Sequence, residues 1–561
     1  MDVSLFFEIA FTAIGGLGIF LVGMRFMSEG LQAIAGDRLR RMISAVTHNR
    51  VMGLISGLAV TCIVQSSTVT TVMTVGLVNS GFMTLKQAIG VIFGANVGTT
   101  ITGWILVLEI GRYGLPLLGV AALFYLFAKT DRLRYIGMSI MGIGMLFFGL
   151  ELMKNGFSPL RELEGFRVWF HAFEATSYSG IIKAVIVGAV LTILVQSSSA
   201  TLGITMGLAA AGVIQFHTAA ALVLGENIGT TVTSYLASLG ATTAAKRAAW
   251  GHILFNAIGT LWFIILFPVV TTLVMNVVGH DPDLMVMRDG QETFPYILRS
   301  IALVHTSFNV VNALLFLPFA GVLGWVVTRL IPEPTTREIK KLTFLDVRMA
   351  HSPSLGIVQS REQIFVMANA VEKMFGYLDG ILAQPNGQPE LEEKLLRREK
   401  ILDEMQKEVS VFLGHLLGGE VPHKVVEEAR GQIRMADEYE TLSDYQASVV
   451  KSLIKLRRNQ ITLSEQGLAD LRQLHQWVKD YVHLINAALR EGQAATIMAR
   501  ARADGDHITR MMKKARRAHM QRLSNEEVTP LKSIIYLDIL NHYRRMKDHA
   551  FNIAEVVAGE K

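Results

Sequence analysis

The sequence contains a single cysteine, Cys62, and few charged residues for its length. Only 18% of its 561 residues are Asp, Glu, Lys or Arg, and 51% are hydrophobic, whereas a typical soluble protein has about 25% charged residues. One cysteine cannot form an intrachain disulfide, which excludes a secreted scaffold held together by disulfides. The low charge instead favours a protein that is partly buried in a membrane.

The shortage of charge is confined to the first part of the chain. Residues 1–330 contain 34 charged residues, whereas the shorter stretch 331–561 contains 66. This contrast predicts a transmembrane domain over 1–330, a linker over 331–352 and a soluble domain over 353–561. The net charge of +6 is shared between both parts, so neither is basic enough to indicate a nucleic-acid partner.

Nine apolar segments divide the first part, and they predict contact with a lipid bilayer. They lie at about 5–28, 51–81, 86–108, 113–128, 134–153, 181–213, 216–239, 248–278 and 297–328. The N-terminus lacks a basic segment and carries Asp2 and Glu8, which favours a first span over a cleaved signal peptide. One crossing needs about 20 residues, so 51–81 and 181–213 are each either a long tilted helix or two half-helices that return to the same face.

The basic residues of the loops favour the half-helices, because short cytoplasmic loops are enriched in Lys and Arg. With two re-entrant hairpins and an external N-terminus, the basic loops at 38–50, 129–134 and 246–247 all lie in the cytoplasm. The acidic loop 281–292 then lies outside, and the soluble domain is cytoplasmic. A full crossing by 51–81 would place the basic loop 129–134 outside.

The transmembrane part also contains an internal repeat. With an offset of 131, residues 65–105 match residues 196–236 at 15 of 41 positions. In the hairpin topology the two repeats, about 5–128 and 134–330, enter the membrane from opposite faces. This arrangement is an inverted repeat, which is common among secondary transporters.

Two clusters of uncharged polar residues lie at the predicted hairpin tips. They are Gln65, Ser66, Ser67 and Thr68 in the first repeat, and Gln196, Ser197, Ser198 and Ser199 in the second. An isolated serine pair usually bonds to its own helix or to a neighbouring one, but two matched clusters favour a binding site. Half-helix N-termini and hydroxyl donors suit an oxyanion. Neither cluster contains arginine, so a bound dianion would need cations beside it.

A second pair of motifs, GANVGTT at 94–100 and GENIGTT at 225–231, offers ligands for such cations. The candidate ligands are Asn96, Thr99, Thr100, Asn227, Thr230 and Thr231. The glycines predict an irregular backbone whose carbonyls would join these side chains around a hard cation such as sodium; close helix packing is the alternative. Glu226 either pairs with a cation or proton or lies in an aqueous vestibule.

A shorter repeat relates two motifs near the end of the transmembrane part. They are His252-x-x-Phe255-Asn256 and His305-x-x-Phe308-Asn309. No other residue nearby has the spacing of a metal ligand, so hydrogen bonds between helices are the favoured role of these histidines.

The paired QSS(S/T) motifs, each followed by G-x-N-[IV]-G-T-T, resemble the bacterial branch of the type II sodium–phosphate cotransporter family. The resemblance covers residues 1–330. It implies a bacterial inner-membrane symporter of inorganic phosphate, with sodium as the coupling ion and with no organic cofactor. It places Gln65–Thr68 and Gln196–Ser199 at the phosphate site. The sequence departs from the pattern at Thr68, which retains a hydroxyl, and at Glu226, where a small residue is usual.

The soluble part consists of long amphipathic stretches that predict an antiparallel helical bundle. They lie at 360–383, 390–418, 422–458, 463–491, 494–523 and 528–557. Glu440-x-x-x-Asp444 and the run Asp548–Glu555 resemble the PhoU family. That resemblance implies a regulatory role, phosphate-signalling proteins as partners and a metal held by paired acidic motifs. Arg544 interrupts the second motif, and a solvated helix face is the alternative interpretation.

The predicted fold is therefore all-α: a polytopic membrane protein with inverted repeats and two re-entrant hairpins, followed by a cytoplasmic helical bundle. The predicted function is sodium-coupled phosphate transport under regulation by the bundle. No nucleophile–base pair or nucleotide loop indicates an enzyme. The alternatives are transport of another anion such as a dicarboxylate, and a membrane-anchored phosphate-signalling protein. The oligomeric state, including a homo-oligomer, stays open.

Overall fold

A computed structural model of the chain divides it into two compact units, 1–340 and 341–561. The structure describes residues 3–44, 50–79, 83–108, 111–162, 173–239, 241–288, 291–333, 353–384, 387–418, 421, 423–491, 494–524 and 529–560. Most of the predicted linker lies outside these ranges. Each unit is described by itself.

The first unit contains thirteen α-helices among its described residues. They are α1 (Val3–Ser44), α2 (Arg50–Val64), α3 (Ser67–Asn79), α4 (Leu85–Val107), α5 (Gly111–Phe127), α6 (Asp131–Phe157), α7 (Tyr178–Val195), α8 (Ser198–Ala210), α9 (Phe216–Ala237), α10 (Thr243–Ile265), α11 (Phe267–Val278), α12 (Ile297–Phe316) and α13 (Ala320–Leu330). The sequence did not predict the small antiparallel hairpin of β1 (Val286–Arg288) and β2 (Gln291–Thr293).

Six helical segments among the described residues are long and apolar enough to cross a membrane. They are Ile9–Ala35, Leu85–Val107, Asp131–Arg161, Tyr178–Val195, Thr243–Ile265 and Ile297–Phe316. Helix α7, the first half of a predicted hairpin, meets this criterion. Helix α9, which was predicted to cross the membrane, is not apolar enough to meet it, because its buried residues include Glu226, Asn227 and several threonines. The all-α, multi-span class predicted from the sequence is nevertheless confirmed.

The two polar clusters separate helices that fold back on each other. A Cβ atom at Gly57 of α2 would collide with the carbonyl of Val91. Further along both helices in the same direction, a Cβ atom at Gly98 would lie 2.7 Å from Thr61 Cβ. Helices α2 and α4 therefore run parallel, and the intervening α3 must run in the opposite direction. Helices α2 and α3 form a helical hairpin.

Helices α7, α8 and α9 repeat this geometry. Gly188 lies against the carbonyl of Leu222, and a Cβ atom at Gly229 would lie 2.6 Å from Thr192 Cβ. Each of these residues is 131 positions after its counterpart in the first set. The internal repeat of the sequence is therefore also a repeat of backbone packing, and α7 and α8 form a second hairpin.

Helices α1 and α6 pack along glycines spaced by seven residues. A Cβ atom at Gly16 would lie 2.9 Å from the carbonyl oxygen of Gly149, and one at Gly23 would lie 2.8 Å from that of Gly142. Residues later in α1 thus meet residues earlier in α6, so the two helices are antiparallel. Small residues that allow such close backbone contact are typical of membrane helices.

The predicted segments 248–278 and 297–328 are each divided into two helices, which the sequence analysis did not predict. The divisions lie between α10 and α11 and between α12 and α13. Pro268 lies in the first turn of α11, and Pro318 lies between α12 and α13. Proline cannot donate the backbone hydrogen bond that a continuous helix requires. The starts of α11 and α13 are 53 positions apart, as are His252 and His305.

The second unit contains six helices among its described residues. They are α14 (Pro353–Ala383), α15 (Pro389–Leu417), α16 (His423–Arg458), α17 (Glu465–Glu491), α18 (Ala494–Ser524) and α19 (Pro530–Ala558). Helices α14, α15 and α16 pack on one another, as do α17, α18 and α19. Helix α16 joins the two groups through its contact with α19. The predicted helical bundle is present.

Candidate functional site

The first polar cluster forms the turn between α2 and α3. Gln65 has a φ of +56°, a left-handed conformation that is uncommon for residues other than glycine. Its backbone N–H donates to the carbonyl of Thr61 (2.7 Å), and its Oε1 accepts from Thr102 Oγ1 (3.1 Å). Ser66 Oγ accepts the N–H of Val69 (3.3 Å), so Ser66 caps α3. The turn is thus fixed by its own hydrogen bonds and by α4.

The second cluster forms the same turn between α7 and α8. Gln196 has a φ of +57°, and its N–H donates to the carbonyl of Thr192 (2.7 Å). Ser197 caps α8 by accepting the N–H of Ala200 at 3.2 Å. The turns differ at the glutamine side chain, because Gln65 is buried and bonded to Thr102 while Gln196 is exposed.

The remaining residues of the clusters provide hydrogen-bond donors. The hydroxyls of Ser67, Thr68, Ser198 and Ser199 form no hydrogen bond within the described part of the chain. The first N–H groups of an α-helix also have no acceptor inside the helix. Each turn therefore presents hydroxyl and backbone donors at the positive end of a helix dipole, as an oxyanion site requires.

Reciprocal contacts join the two repeats. Ser234 Oγ donates to Thr71 Oγ1 over 3.1 Å, which connects α9 to α3. A Cβ atom at Gly103 would lie 3.4 Å from Leu202 Cδ2, which connects α4 to α8. Thr71 and Leu202 are equivalent positions of the repeat, as are Gly103 and Ser234. The second helix of each hairpin therefore packs on the other repeat, as a local two-fold axis requires.

These contacts also bring the two polar clusters toward each other. Thr102, which donates to Gln65, immediately precedes Gly103, which contacts Leu202. Leu202 lies one turn after the second cluster in α8. The sequence did not identify Thr102 as part of the first turn, because it lies 37 residues after Gln65 and has no distinctive pattern around it.

The candidate cation ligands lie on continuous helices, so the predicted irregular backbone at GANVGTT and GENIGTT is wrong. Both motifs are helical, and their glycines allow close packing on α2 and α7. The backbone carbonyls there accept helical hydrogen bonds, and those of Val97 and Ile228 also accept from Thr100 Oγ1 and Thr231 Oγ1. All six predicted ligands are buried; they are Asn96, Thr99, Thr100, Asn227, Thr230 and Thr231.

The side chains of these residues are arranged alike in both repeats. Asn96 Nδ2 donates to the carbonyl of Ile92, and Asn227 Nδ2 donates to that of Val223, each over 2.8 Å. The side-chain amide oxygens of Asn96 and Asn227 therefore take no part in these two hydrogen bonds. Thr230 Oγ1 is buried and has no hydrogen-bond partner within the described residues. Side-chain oxygens are therefore the ligands that this region offers to a cation.

A chain of hydrogen bonds extends from the first hairpin to His252. His252 Nδ1 lies 3.0 Å from Ser234 Oγ, which donates to Thr71 Oγ1, which in turn donates to the carbonyl of Thr68 over 3.1 Å. Each hydroxyl has one proton to donate, so Ser234 must accept from His252 Nδ1–H. His252 therefore makes the interhelical hydrogen bond that the sequence predicted.

Helix α1 supports the first hairpin from outside the repeat motifs. Ser28 Oγ donates to the carbonyl of Val64 over 2.6 Å, and Gln32 Nε2 donates to Ser28 Oγ over 2.7 Å. This carbonyl is the last of α2 and directly precedes the Gln65 turn. Ser28 and Gln32 could not be identified from the sequence, since single polar residues in a long apolar helix have no motif.

In the second unit, the acidic residues of the PhoU-like motifs are only partly enclosed. Burial and the neighbouring Asp444 raise the pKa of Glu440, and burial raises the pKa of Asp444. Asp548 pairs with Lys547 over 2.6 Å, while His549 Nδ1 lies 2.6 Å from Glu438 Oε2. Within the described residues, no group of three or more His, Cys, Asp or Glu side chains could hold a metal ion.

Comparison with known proteins agrees with the division of the chain into a transmembrane part and a PhoU-like part. The Na+/Pi-cotransporter family model matches residues 19–155 and 165–278, and the PhoU domain model matches residues 471–557. No solved structure matches the chain.

Three relatives cover different shares of the chain. A Salmonella typhimurium protein, YjbB, is 25% identical over 96% of both chains, and its name assigns it provisionally to inorganic phosphate export. The Bacillus subtilis protein YqeW, whose name states no function, is 30% identical over 58% of this chain and 98% of its own length. Human sodium-dependent phosphate transport protein 2B is 35% identical over 17% of this chain and 14% of its own length.

The family model spans both polar clusters, and this chain covers nearly the full length of YqeW at 30% identity. The chain belongs to the Na+/Pi-cotransporter family and has a PhoU domain after its transmembrane part.

Proposed function

We propose that the protein transports inorganic phosphate across the bacterial inner membrane together with sodium ions, and that its PhoU-like unit regulates this transport. The observation that supports it most directly is the matched pair of hairpin turns. Each turn supplies hydroxyls at a helix N-terminus that form no hydrogen bond with any described residue, and neither contains a negative charge that would repel an oxyanion.

Phosphate would be held by the two clusters. The proposed site residues are Gln65, Ser66, Ser67, Thr68, Gln196, Ser197, Ser198 and Ser199. Hydroxyl and N–H donors at both turns match the four oxygens of a tetrahedral anion. Since no Lys or Arg lies in either cluster, the negative charge must be balanced by ions that enter with the substrate.

Sodium is the proposed counter-ion. The proposed ligands are the side-chain oxygens of Asn96, Thr99, Thr100, Asn227, Thr230 and Thr231. These residues follow the phosphate clusters in each repeat, and oxygen ligands suit a hard cation. Thr230 Oγ1, which is buried and has no partner in the part of the chain that the structure describes, is the clearest candidate. Because the motifs are helical, backbone carbonyls play no part in this site.

The hairpins are proposed to enter the membrane from opposite faces, with the N-terminus outside and the PhoU-like unit in the cytoplasm. The antiparallel packing of α1 and α6, which begin the two repeats, supports this inversion. In a Cys62→Ser background, an impermeant thiol reagent should label Lys129→Cys from the cytoplasm and His280→Cys from outside. Both native side chains are exposed. Labelling of both from one side would refute the topology.

The PhoU-like unit is proposed to act with phosphate-signalling proteins. The net direction of transport follows from the phosphate and sodium gradients together. A relative named for export and a relative named for sodium-dependent transport are both consistent with one symport mechanism that runs either way.

Phosphate flux into proteoliposomes tests the function. Flux should rise when an inward sodium gradient is imposed and should fall to the background rate when potassium replaces sodium. Succinate and sulfate at the same concentration should compete weakly. Flux that ignores sodium would refute the coupling, and preferential transport of succinate would assign the site to dicarboxylates.

Serine substitutions test the site. Replacing Ser66 and Ser67, or Ser197 and Ser198, by alanine should lower phosphate flux by about 100-fold or more, since hydrogen bonds to a charged group contribute about 1.5–3 kcal/mol each. Ser300→Ala is the matched control, because this buried hydroxyl only donates to the carbonyl of Tyr296 in its own helix. Unchanged flux in the double variants would show that phosphate binds elsewhere.

A further inference from the structure

The asparagines of the two His-x-x-Phe-Asn motifs are fully buried in the transmembrane part. Nδ2 of Asn256 donates to the carbonyl of His252 over 3.1 Å. Nδ2 of Asn309 donates in the same way to the carbonyl of His305 over 2.9 Å. Because a carbonyl only accepts, these bonds identify the nitrogen of each carboxamide. Each Oδ1 is therefore a buried acceptor without a hydrogen-bond partner among the described residues, and a buried polar atom of this kind requires an explanation.

Asn256 faces one of the proposed sodium ligands across the contact between α9 and α10. These two helices are joined by residues 238–242 and pack on each other, so they are antiparallel. His252 Nδ1 lies 3.0 Å from Ser234 Oγ. Asn256 is one turn after His252, and Thr230 is one turn before Ser234. Residues four apart share a helix face, so Asn256 and Thr230 lie at the same level on the two faces in contact.

Three buried side-chain oxygens of this interface have no hydrogen-bond partner in the part of the chain that the structure describes. They are Asn256 Oδ1, Thr230 Oγ1 and Thr260 Oγ1. Thr260 follows Asn256 by one turn, and Asn227, another proposed sodium ligand, lies three residues before Thr230. Glu226 bonds to α8 instead, and its 1% exposure excludes an aqueous vestibule as its location. The interface between α9 and α10 thus collects neutral oxygen atoms.

Helices α4 and α12 repeat this arrangement. Trp104 Nε1 donates to Thr306 Oγ1 over 2.9 Å, and the rings of Phe93 and Phe316 lie 6.2 Å apart. A later residue of α4 thus meets an earlier residue of α12, so these helices are also antiparallel. Asn309 lies three residues after Thr306 and seven before Phe316. Both spacings keep a side chain on one helix face, so Asn309 lies on the face of α12 that meets α4.

The proposed sodium ligands of the first repeat lie on the face of α4 that Asn309 meets. Asn96 is three residues after Phe93, and Thr100 is four residues before Trp104. These spacings place both side chains on the face of α4 that contacts α12. The asparagine of each His-x-x-Phe-Asn motif therefore lies beside a G-x-N-[IV]-G-T-T motif of one repeat.

We propose that Asn256 and Asn309 are sodium ligands and that each completes the cation site of the G-x-N-[IV]-G-T-T motif beside it. Asn256 Oδ1 acts with Thr230 Oγ1 and Thr260 Oγ1 between α9 and α10, and Asn309 Oδ1 has the equivalent place between α4 and α12. A hard cation takes oxygen ligands from several directions, which a second helix supplies. This proposal rests on the proposed sodium-coupled transport and assigns the His-x-x-Phe-Asn motifs to it.

Asn312 is a matched control, because it is a structural asparagine of the same helices. It is fully buried, like Asn256 and Asn309. Its Nδ2 donates to the carbonyl of Phe255 over 3.1 Å, and its Oδ1 accepts from Trp262 Nε1 over 3.2 Å. Both polar groups are thus used between α10 and α12. Asn312→Leu should lower the thermal unfolding midpoint without changing the affinity for sodium.

Thermal unfolding of the purified full-length protein in detergent tests the proposal without relying on transport. An ion that binds only the folded protein raises the unfolding midpoint, so sodium should raise it more than potassium at the same concentration. In the double variant Asn256→Leu/Asn309→Leu, half of this shift should require at least about tenfold more sodium, since losing even a residue that supports a metal ligand costs about 10–100-fold in affinity. Asn312→Leu should show the wild-type sodium dependence.

Phosphate flux in proteoliposomes at varied sodium concentration tests each site separately. Asn256→Leu and Asn309→Leu should each need at least about tenfold more sodium for half-maximal flux. Thr260→Val removes one oxygen at nearly constant volume and should also need more sodium. Its equivalent in the first repeat is the buried Ala313, so this variant keeps the test valid if a leucine variant does not fold.

Unchanged sodium dependence in the leucine and valine variants would overturn the proposal, because the oxygens would then not be ligands. An equal increase for Asn312→Leu would also overturn it, because the effect would then come from packing. A wild type whose unfolding midpoint responds to sodium but whose phosphate flux does not would instead refute the proposed coupled transport.

Discussion

Gly103 and Ser234 occupy equivalent positions in the two repeats, but only Ser234 has a side chain that can hydrogen-bond a histidine. Ser234 contacts His252. The equivalent histidine, His305, lies one turn after Ala302, which contacts Gly103, and its Nδ1 is buried without a partner within the described residues. A buried polar atom that lacks a partner costs about 1–3 kcal/mol. The first repeat therefore contains a histidine nitrogen without a hydrogen-bond partner, whereas in the second repeat a serine bonds to the equivalent histidine.

Gly103→Ser should supply the hydrogen-bond partner that His305 lacks among the described residues. The nearest atom to a Cβ at this position lies 3.4 Å away, an ordinary contact distance, so the serine fits. We expect the protein in detergent to gain about 1 kcal/mol of stability from the new hydrogen bond and to show a higher thermal unfolding midpoint.

Gly229→Ser is the control, since it makes the same change in a buried helix of the same unit. A Cβ atom there would lie 2.6 Å from Thr192 Cβ, so this variant should unfold at a lower temperature than the wild type. Equal destabilisation of Gly103→Ser would show that the new hydroxyl does not find room to bond to His305.

The polar clusters could be predicted from the sequence because each is a short contiguous motif that occurs twice. Their supporting residues could not. Thr102 and Ser28 act on the first turn over separations of 37 and 36 residues, and a single sequence shows no pattern for such contacts. The backbone of GANVGTT was predicted incorrectly because glycine serves both irregular backbone and close helix packing, and only the neighbouring helix decides between them.

The contacts of α2 with α4 and of α7 with α9 depend on matched glycines. Gly94 lies against the carbonyl of Leu54, and Gly225 lies against that of Val185. Gly94→Ala and Gly225→Ala should each separate the two helices and lower stability by about 1–3 kcal/mol, the usual cost of overpacking. Thermal unfolding in detergent measures this effect.

Gly18→Ala in α1 is the control, because nothing lies within 4 Å of a Cβ atom there. It should leave the unfolding midpoint unchanged or raise it slightly, since alanine favours the helix. Equal losses in all three variants would mean that these glycines are needed for helix bending rather than for packing.

The number and position of the helices could largely be predicted, because long apolar or amphipathic periodicity is a strong local signal. The divisions at Pro268 and Pro318 were missed because apolar residues continue on both sides of each proline. The strands β1 and β2 were missed because three residues each are too few to show a strand's alternation.

The chain divides into two compact units, 1–340 and 341–561, so the transmembrane unit can be tested without the other. Deleting residues 341–561 should leave sodium-dependent phosphate flux in proteoliposomes while removing its regulation in cells. A membrane-anchored signalling protein would lose its output instead. Complete loss of flux from a truncated protein that inserts and folds would show that the PhoU-like unit is part of the transport machinery.

Of the two reciprocal contacts between the repeats, one is polar and the other is apolar. When the contact between Thr71 and Ser234 opens, both hydroxyls can bond to water, so the net loss is about 0.5–1.5 kcal/mol. When Leu202 leaves Gly103, a leucine side chain is exposed, which costs about 1.5–3 kcal/mol if it becomes fully hydrated. If the two contacts open in turn during the proposed transport cycle, we expect the polar contact to open more often than the apolar one, so that one orientation of the empty protein predominates before any gradient is applied.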